Sequence, residues 1–148
     1  MGAGGTKLPF KHCTFDDVSK CIRGSGSGSG PGGEGGGNDP FILISTLPRT
    51  NQECLIANTV PIEQEEALIN SMLGLRPSVA RKNIVVYGRN WWDESGFKKC
   101  AQLSHMGFSV RLYAGGLFEW LCLQDIYGED VFPTTSSTLD ILQYGPSR

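Results

Sequence analysis

Asn83-Ile84-Val85-Val86-Tyr87-Gly88-Arg89-Asn90-Trp91-Trp92-Asp93 is an apolar β-rich run that ends abruptly in a polar, tryptophan-bearing loop. A second copy of that pattern follows, Val110-Arg111-Leu112-Tyr113 running into Gly115-Gly116-Leu117-Phe118-Glu119-Trp120-Leu121. Between them, Phe97, Cys100, Ala101 and Leu103 recur at helical spacing from about Ser95 to Met106, with Gly107 as the stop. Strand, loop, helix and strand again is the signature of a parallel sheet covered by helices.

Working outward, Phe41-Ile42-Leu43-Ile44 is apolar throughout, as expected of a strand buried on both faces. Thr59-Val60-Pro61-Ile62 reads as a short strand leading into the acidic start of a helix at Glu63-Gln64-Glu65-Glu66. Leu68, Ile69, Met72 and Leu73 form the buried stripe of that helix, and Gly74 ends it. Thr14-Phe15-Asp16-Asp17 is an N-cap followed by first-turn carboxylates, and Phe15, Val18 and Ile22 predict a first helix ending near Arg23. A last helix is predicted over Leu117 to Tyr127, closed by Gly128. The fold class is therefore α/β, a three-layer sandwich with a mostly parallel central sheet.

Three segments stand outside this alternation. Gly24 to Gly37 holds nine glycines and three serines, too little apolar surface to offset the entropy of ordering, and reads as a flexible insertion. Residues 134–148 are polar and read as a tail, leaving a domain over 8–133. Residues 1–7 form a leader in which Met1-Gly2-Ala3-Gly4-Gly5-Thr6 matches the N-myristoylation pattern, so Gly2 is the candidate lipidation site; a glycine-rich leader without a lipid is the alternative. One acyl chain binds membranes only marginally, and Lys7 and Lys11 make a thin basic patch, so a partner's groove is as good a destination as a bilayer.

Composition narrows the function. The 148 residues carry 39% apolar and 19% charged side chains with a net charge of −2, enough for one core and without the basic stripe that nucleic-acid binding requires. No apolar run approaches the roughly 20 residues that span a bilayer, and no secretory signal core is present, which points to an intracellular chain. The five cysteines, Cys13, Cys21, Cys54, Cys100 and Cys122, form no C-x-x-C pair, and only His12 and His105 could join them, so no metal site is expected. They read as small buried hydrophobes of a reducing compartment. No cofactor is expected.

From about Leu8 to Pro133 the chain resembles a rhodanese-like domain, in a variant of the family found in single-celled eukaryotes and large DNA viruses. The resemblance is carried chiefly by Tyr113-Ala114-Gly115-Gly116-Leu117-Phe118-Glu119-Trp120-Leu121, continued by Gln124 to Gly128 and Phe132-Pro133. It departs from the family at Ser45-Thr46, where an aspartate and arginine pair is usual, and at Cys54 to Thr59, where a Gly-His-Ile stretch is usual. The resemblance implies a loop of six residues, Gly88 to Asp93, whose inward N–H groups would cradle a thiolate and its persulfide. The nucleophilic cysteine falls on Gly88 and the substrate-binding arginine on Asp93, so neither catalytic group is present; Arg89 is expected to point to solvent. Adjacent Trp91 and Trp92 cannot both face the core, and the two readings are that one plugs the vacated cradle and that the other anchors a partner.

The resulting expectation is an inactive rhodanese-like domain that serves as a scaffolding subunit of an intracellular assembly, with protein partners and a flagellar or cytoskeletal setting. The vestigial loop Gly88, Arg89, Asn90, Trp91, Trp92 and Asp93 is the candidate contact. A lipid-anchored peripheral adaptor is the alternative, and an active sulfurtransferase or phosphatase is disfavoured by Gly88.

Overall fold

The computed structural model describes residues 10–26, 41–73, 83–137 and 140–146. The leader with Gly2, Gly74 and residues 27–37 of the glycine tract lie outside them.

Four strands build one all-parallel sheet: β1 (Lys11–Cys13), β2 (Phe41–Ser45), β3 (Asn83–Tyr87) and β4 (Val110–Tyr113), in the order β1-β4-β3-β2. Four helices cover it: α1 (Phe15–Gly26), α2 (Ile62–Leu73), α3 (Glu94–His105) and α4 (Gly116–Tyr127). Strand side chains alternate between faces. Cys13, Leu43, Val85, Tyr87 and Tyr113 pack with Val18 of α1 and Leu117, Trp120 and Leu121 of α4. Ile42, Ile44, Ile84, Val86, Val110 and Leu112 pack on the other side with Ile69 and Met72 of α2 and Cys100 and Leu103 of α3. The protein is thus a three-layer α/β sandwich, as its two kinds of apolar period require.

Local chemistry sets the helix ends. At α1, Thr14 Oγ1 accepts the Asp17 N–H while Asp17 Oδ2 accepts the Thr14 N–H, a reciprocal cap of 3.3 and 3.0 Å. At α3, Asp93 Oδ1 caps the Ser95 N–H, and past its end the chain turns at Gly107 with φ 93°.

Several sequence expectations need correction. Helix α1 runs to Gly26 rather than stopping near Arg23, entering the glycine tract. The expected strand at Thr59 to Ile62 shrinks to an isolated bridge between Thr59 and Leu43, because Pro61 has no N–H to extend a ladder and α2 starts at Ile62. Phe97, expected inside, is exposed and meets Phe10 edge-on at 5.0 Å. The segment after Pro133 is no free tail. Thr134 bridges Ile56, Thr135 Oγ1 accepts the Leu55 N–H, and Ser136 Oγ donates to Glu53 O. The chain then returns as a single 3-10 turn, Ile141–Tyr144, that packs on α4 and buries Tyr144 in the same core cluster.

Candidate functional site

Strand β3 delivers its chain to α3 on one face and β4 delivers its chain to α4 on the other, so the crevice at the carboxyl edge of the sheet opens between their loops. The β3–α3 loop is Gly88 to Asp93, and the β4–α4 turn is Ala114 to Gly116. The two are laced together. Leu117 N–H donates to Gly88 O at 3.0 Å and Phe118 N–H to Arg89 O at 2.9 Å. Gly116 sits at φ 69°, and a Cβ there would lie 2.8 Å from both Asn90 N and Gly88 O, so only glycine permits this approach. The Gly115-Gly116 pair therefore turns the chain against the neighbouring loop. The lacing also commits the first amides of α4, which would otherwise offer an anion site.

Several other polar groups of the loop are committed within it or to the start of α3. Asp93 Oδ2 accepts the Arg89 N–H at 2.9 Å, and Asp93 Oδ1 accepts the Ser95 N–H at 2.9 Å and the Ser95 hydroxyl at 2.6 Å. Asn90 Oδ1 accepts the Trp92 N–H at 2.8 Å, and Asn90 O accepts the Asp93 N–H. A side chain at Gly88 would have to displace the Asp93 carboxylate: a Cβ would stand 2.8 Å from Asp93 Oδ2 and 3.1 Å from Thr46 Oγ1. Burial by itself would raise the Asp93 carboxyl, but hydrogen bonds from Ser95 and the Arg89 amide, with the Arg89 charge, outweigh it and hold the group below its ordinary value. Asp93 is thus an ionised carboxylate that takes one loop amide, the Arg89 N–H, together with the first turn of α3 through Ser95.

The six loop residues divide by direction. Asn90, 6% exposed, points inward and donates from Nδ2 to Tyr144 O at 2.7 Å. Arg89, expected to face solvent, instead reaches the C-terminal segment: Nη1 donates to Gln143 O at 3.0 Å, Nη2 donates to Asn51 Oδ1 at 3.2 Å, and the guanidinium lies 5.8 Å from the Tyr144 ring centre. Neither tryptophan plugs the cradle, since Asp93 fills it. Trp91 is 53% exposed and leans on Phe118 at 5.7 Å, while Trp92 is 62% exposed. Both are displayed on a loop whose backbone is fixed from within. Residues 140–146 were missed in the sequence because one buried aromatic in a polar stretch carries no period.

A second crevice, of about 770 Å³, lies between α2 and α3 beside Thr46 and Ser95. Its cations already face carboxylates: Arg49 pairs with Glu63, Lys98 with Glu94 and Lys99 with Glu65. Two of the described cysteines, Cys100 and Cys122, offer little nucleophilicity. Burial pushes the Cys100 thiol up to about 12, and burial with Asp125 and Glu119 raises that of Cys122. Among the described residues no cluster of three or more metal-ligating side chains occurs, and no helix is long and apolar enough to cross a membrane.

No protein-family profile matches the sequence, and no curated protein matches it. Solved structures do resemble it. A protein of Bacillus halodurans is 16% identical, with a TM-score of 0.53 over 77% of this chain and 73% of that one. A protein of Lactobacillus plantarum is 17% identical, with a TM-score of 0.54 over 76% and 83%. A full-length protein of the same organism is also 17% identical, with a TM-score of 0.53 over 85% and 88%. The likeness is one of fold.

Proposed function

We propose that the protein is a rhodanese-like domain without rhodanese chemistry, acting as a binding and scaffolding subunit of an intracellular assembly through its β3–α3 loop. An all-parallel sheet flanked by helices is compatible with that family. The observation that carries the reading is the Asp93 carboxylate, held by the Arg89 and Ser95 amides 2.8 Å from where a Gly88 side chain would begin. A sulfur-transfer site needs a thiolate and free inward amides at this place; here the thiolate is missing and an internal carboxylate has taken the Arg89 amide beside it. Two exposed tryptophans on the same braced loop supply what an interface needs instead, large rigid apolar area at low entropic cost.

The test joins turnover to association. Purified protein is expected to give no cyanide-dependent thiocyanate above a boiled control, and native material is expected to migrate in a complex larger than the monomer. Turnover that is abolished by thiol alkylation, in a protein that migrates as a monomer, would overturn the proposal.

A further inference from the structure

The C-terminal segment meets the candidate site as a docked ligand would. Arg89 and Asn90 hold the consecutive main-chain carbonyls of Gln143 and Tyr144, at 3.0 and 2.7 Å. One side chain of the segment, Tyr144, is buried at 3% exposure, while its neighbours Leu142 and Gln143 face water. The chain leaves Tyr144 through Gly145, which is extended at φ −70° and ψ 165°. A Cβ there would approach Leu142 O to 3.3 Å and the Phe118 ring to 3.5 Å, which favours a residue without a side chain. Two carbonyl clamps, one aromatic anchor and a small residue after it describe sequence-selective capture of a short peptide.

The attachment of this segment contrasts with that of the chain just before it. Residues Thr134 to Ser136 are tied to Glu53, Cys54, Leu55 and Ile56 by a bridge and several hydrogen bonds. Asp140 to Pro146 leave a cleft of about 570 Å³ between themselves and the loop, bordered by Arg89, Asn90, Trp92 and Asp93 on one side and Leu142 and Pro146 on the other. Trp92 and Leu142 both stand open to solvent at its mouth.

We infer that Arg89, Asn90 and the Tyr144 pocket form a recognition site for a short protein segment bearing a bulky aromatic followed by glycine and proline, and that residues 140–146 occupy it in cis. The inference rests on the reading of the β3–α3 loop as a binding surface and names its partner chemistry. A partner of this kind gains the site by displacing the chain's own segment, so full exposure of the loop is coupled to release of the C-terminus. Mass action then sets a threshold: the partner must compete with a tethered ligand present at high effective concentration.

The experiment uses the full chain with a protease site inserted between Ser137 and Asp140. After cleavage the fragment is expected to stay bound and to exchange with a fluorescent synthetic peptide of residues 140–146. That peptide should bind the uncut protein at least tenfold more weakly. A peptide carrying Tyr144→Ala, and cut protein carrying Arg89→Ala, should each lower affinity tenfold or more. The peptide variant leaves the protein unaltered and so keeps the test free of folding effects. The inference is overturned if cleavage unfolds the domain, if excess peptide never exchanges with the fragment, or if cut and uncut protein bind the peptide equally. Such a failure leaves the tryptophan surface untouched, because that surface is tested by assembly of the uncut chain.

Discussion

The Asp93 carboxylate stands in the space that a side chain on Gly88 would need: a Cβ on Gly88 would lie 2.8 Å from Asp93 Oδ2. The two positions are therefore coupled. An anionic side chain at 93 is compatible with a residue lacking a side chain at 88.

Gly88→Cys is expected to destabilise the domain by about 1–3 kcal/mol, the usual cost of overpacking, and to restore no thiocyanate formation. The loss should shrink in an Asp93→Ala background, where the obstructing carboxylate is gone. Melting temperatures of the four proteins of this cycle measure the coupling. Additive penalties would show that the two side chains do not compete for one space.

Gly116→Ala is expected to cost about 2 kcal/mol or more, for two reasons that act together. Its φ of 69° is strained for any residue with a Cβ, and that Cβ would strike the backbone at Gly88 and Asn90. Gly128 has a still more positive φ of 103° but no atom within 4 Å of the added Cβ, so Gly128→Ala carries backbone strain without the clash and should cost less. Denaturant midpoints of the two variants check the order.

Asp93→Asn should destabilise at neutral pH and much less in acid. The folded-state carboxyl lies below its ordinary value. Its contribution is thus fully present above the unfolded-state value, about 3.9, and is lost as pH falls through the lower folded value. The melting-temperature gap between wild type and Asp93→Asn, followed from pH 7 to pH 2, should narrow only below about pH 4. A constant gap would mean that the Asp93 charge plays no part in bracing the loop.

The layered fold was legible because its signals are local. β2 and β3 carry the apolar runs Phe41 to Ile44 and Ile84 to Tyr87, and Thr14 stands at a helix start as a residue that accepts an amide hydrogen bond. Strand β1 was not, since Lys11 and His12 are exposed and only Cys13 points inward, leaving no alternation to read. At the site, the missing side chain at Gly88 and the negative charge of Asp93 were plain in the sequence. The role of Asp93 as the occupant was not, nor was the turn of Arg89 toward Gln143, whose partner lies 54 positions further along the chain. Contacts of that separation leave no periodic trace.

The central claim is that the β3–α3 loop, closed to catalysis by Asp93, presents Trp91 and Trp92 to another protein. Its most direct test is to express Trp91→Ala and Trp92→Ala separately in the native source, and to measure incorporation into the complex beside the melting temperature of each purified monomer. The account predicts that at least one variant loses binding on the order of 2 kcal/mol or more, as a central tryptophan anchor does, with the monomer's melting unchanged. Wild-type incorporation of both variants would contradict it.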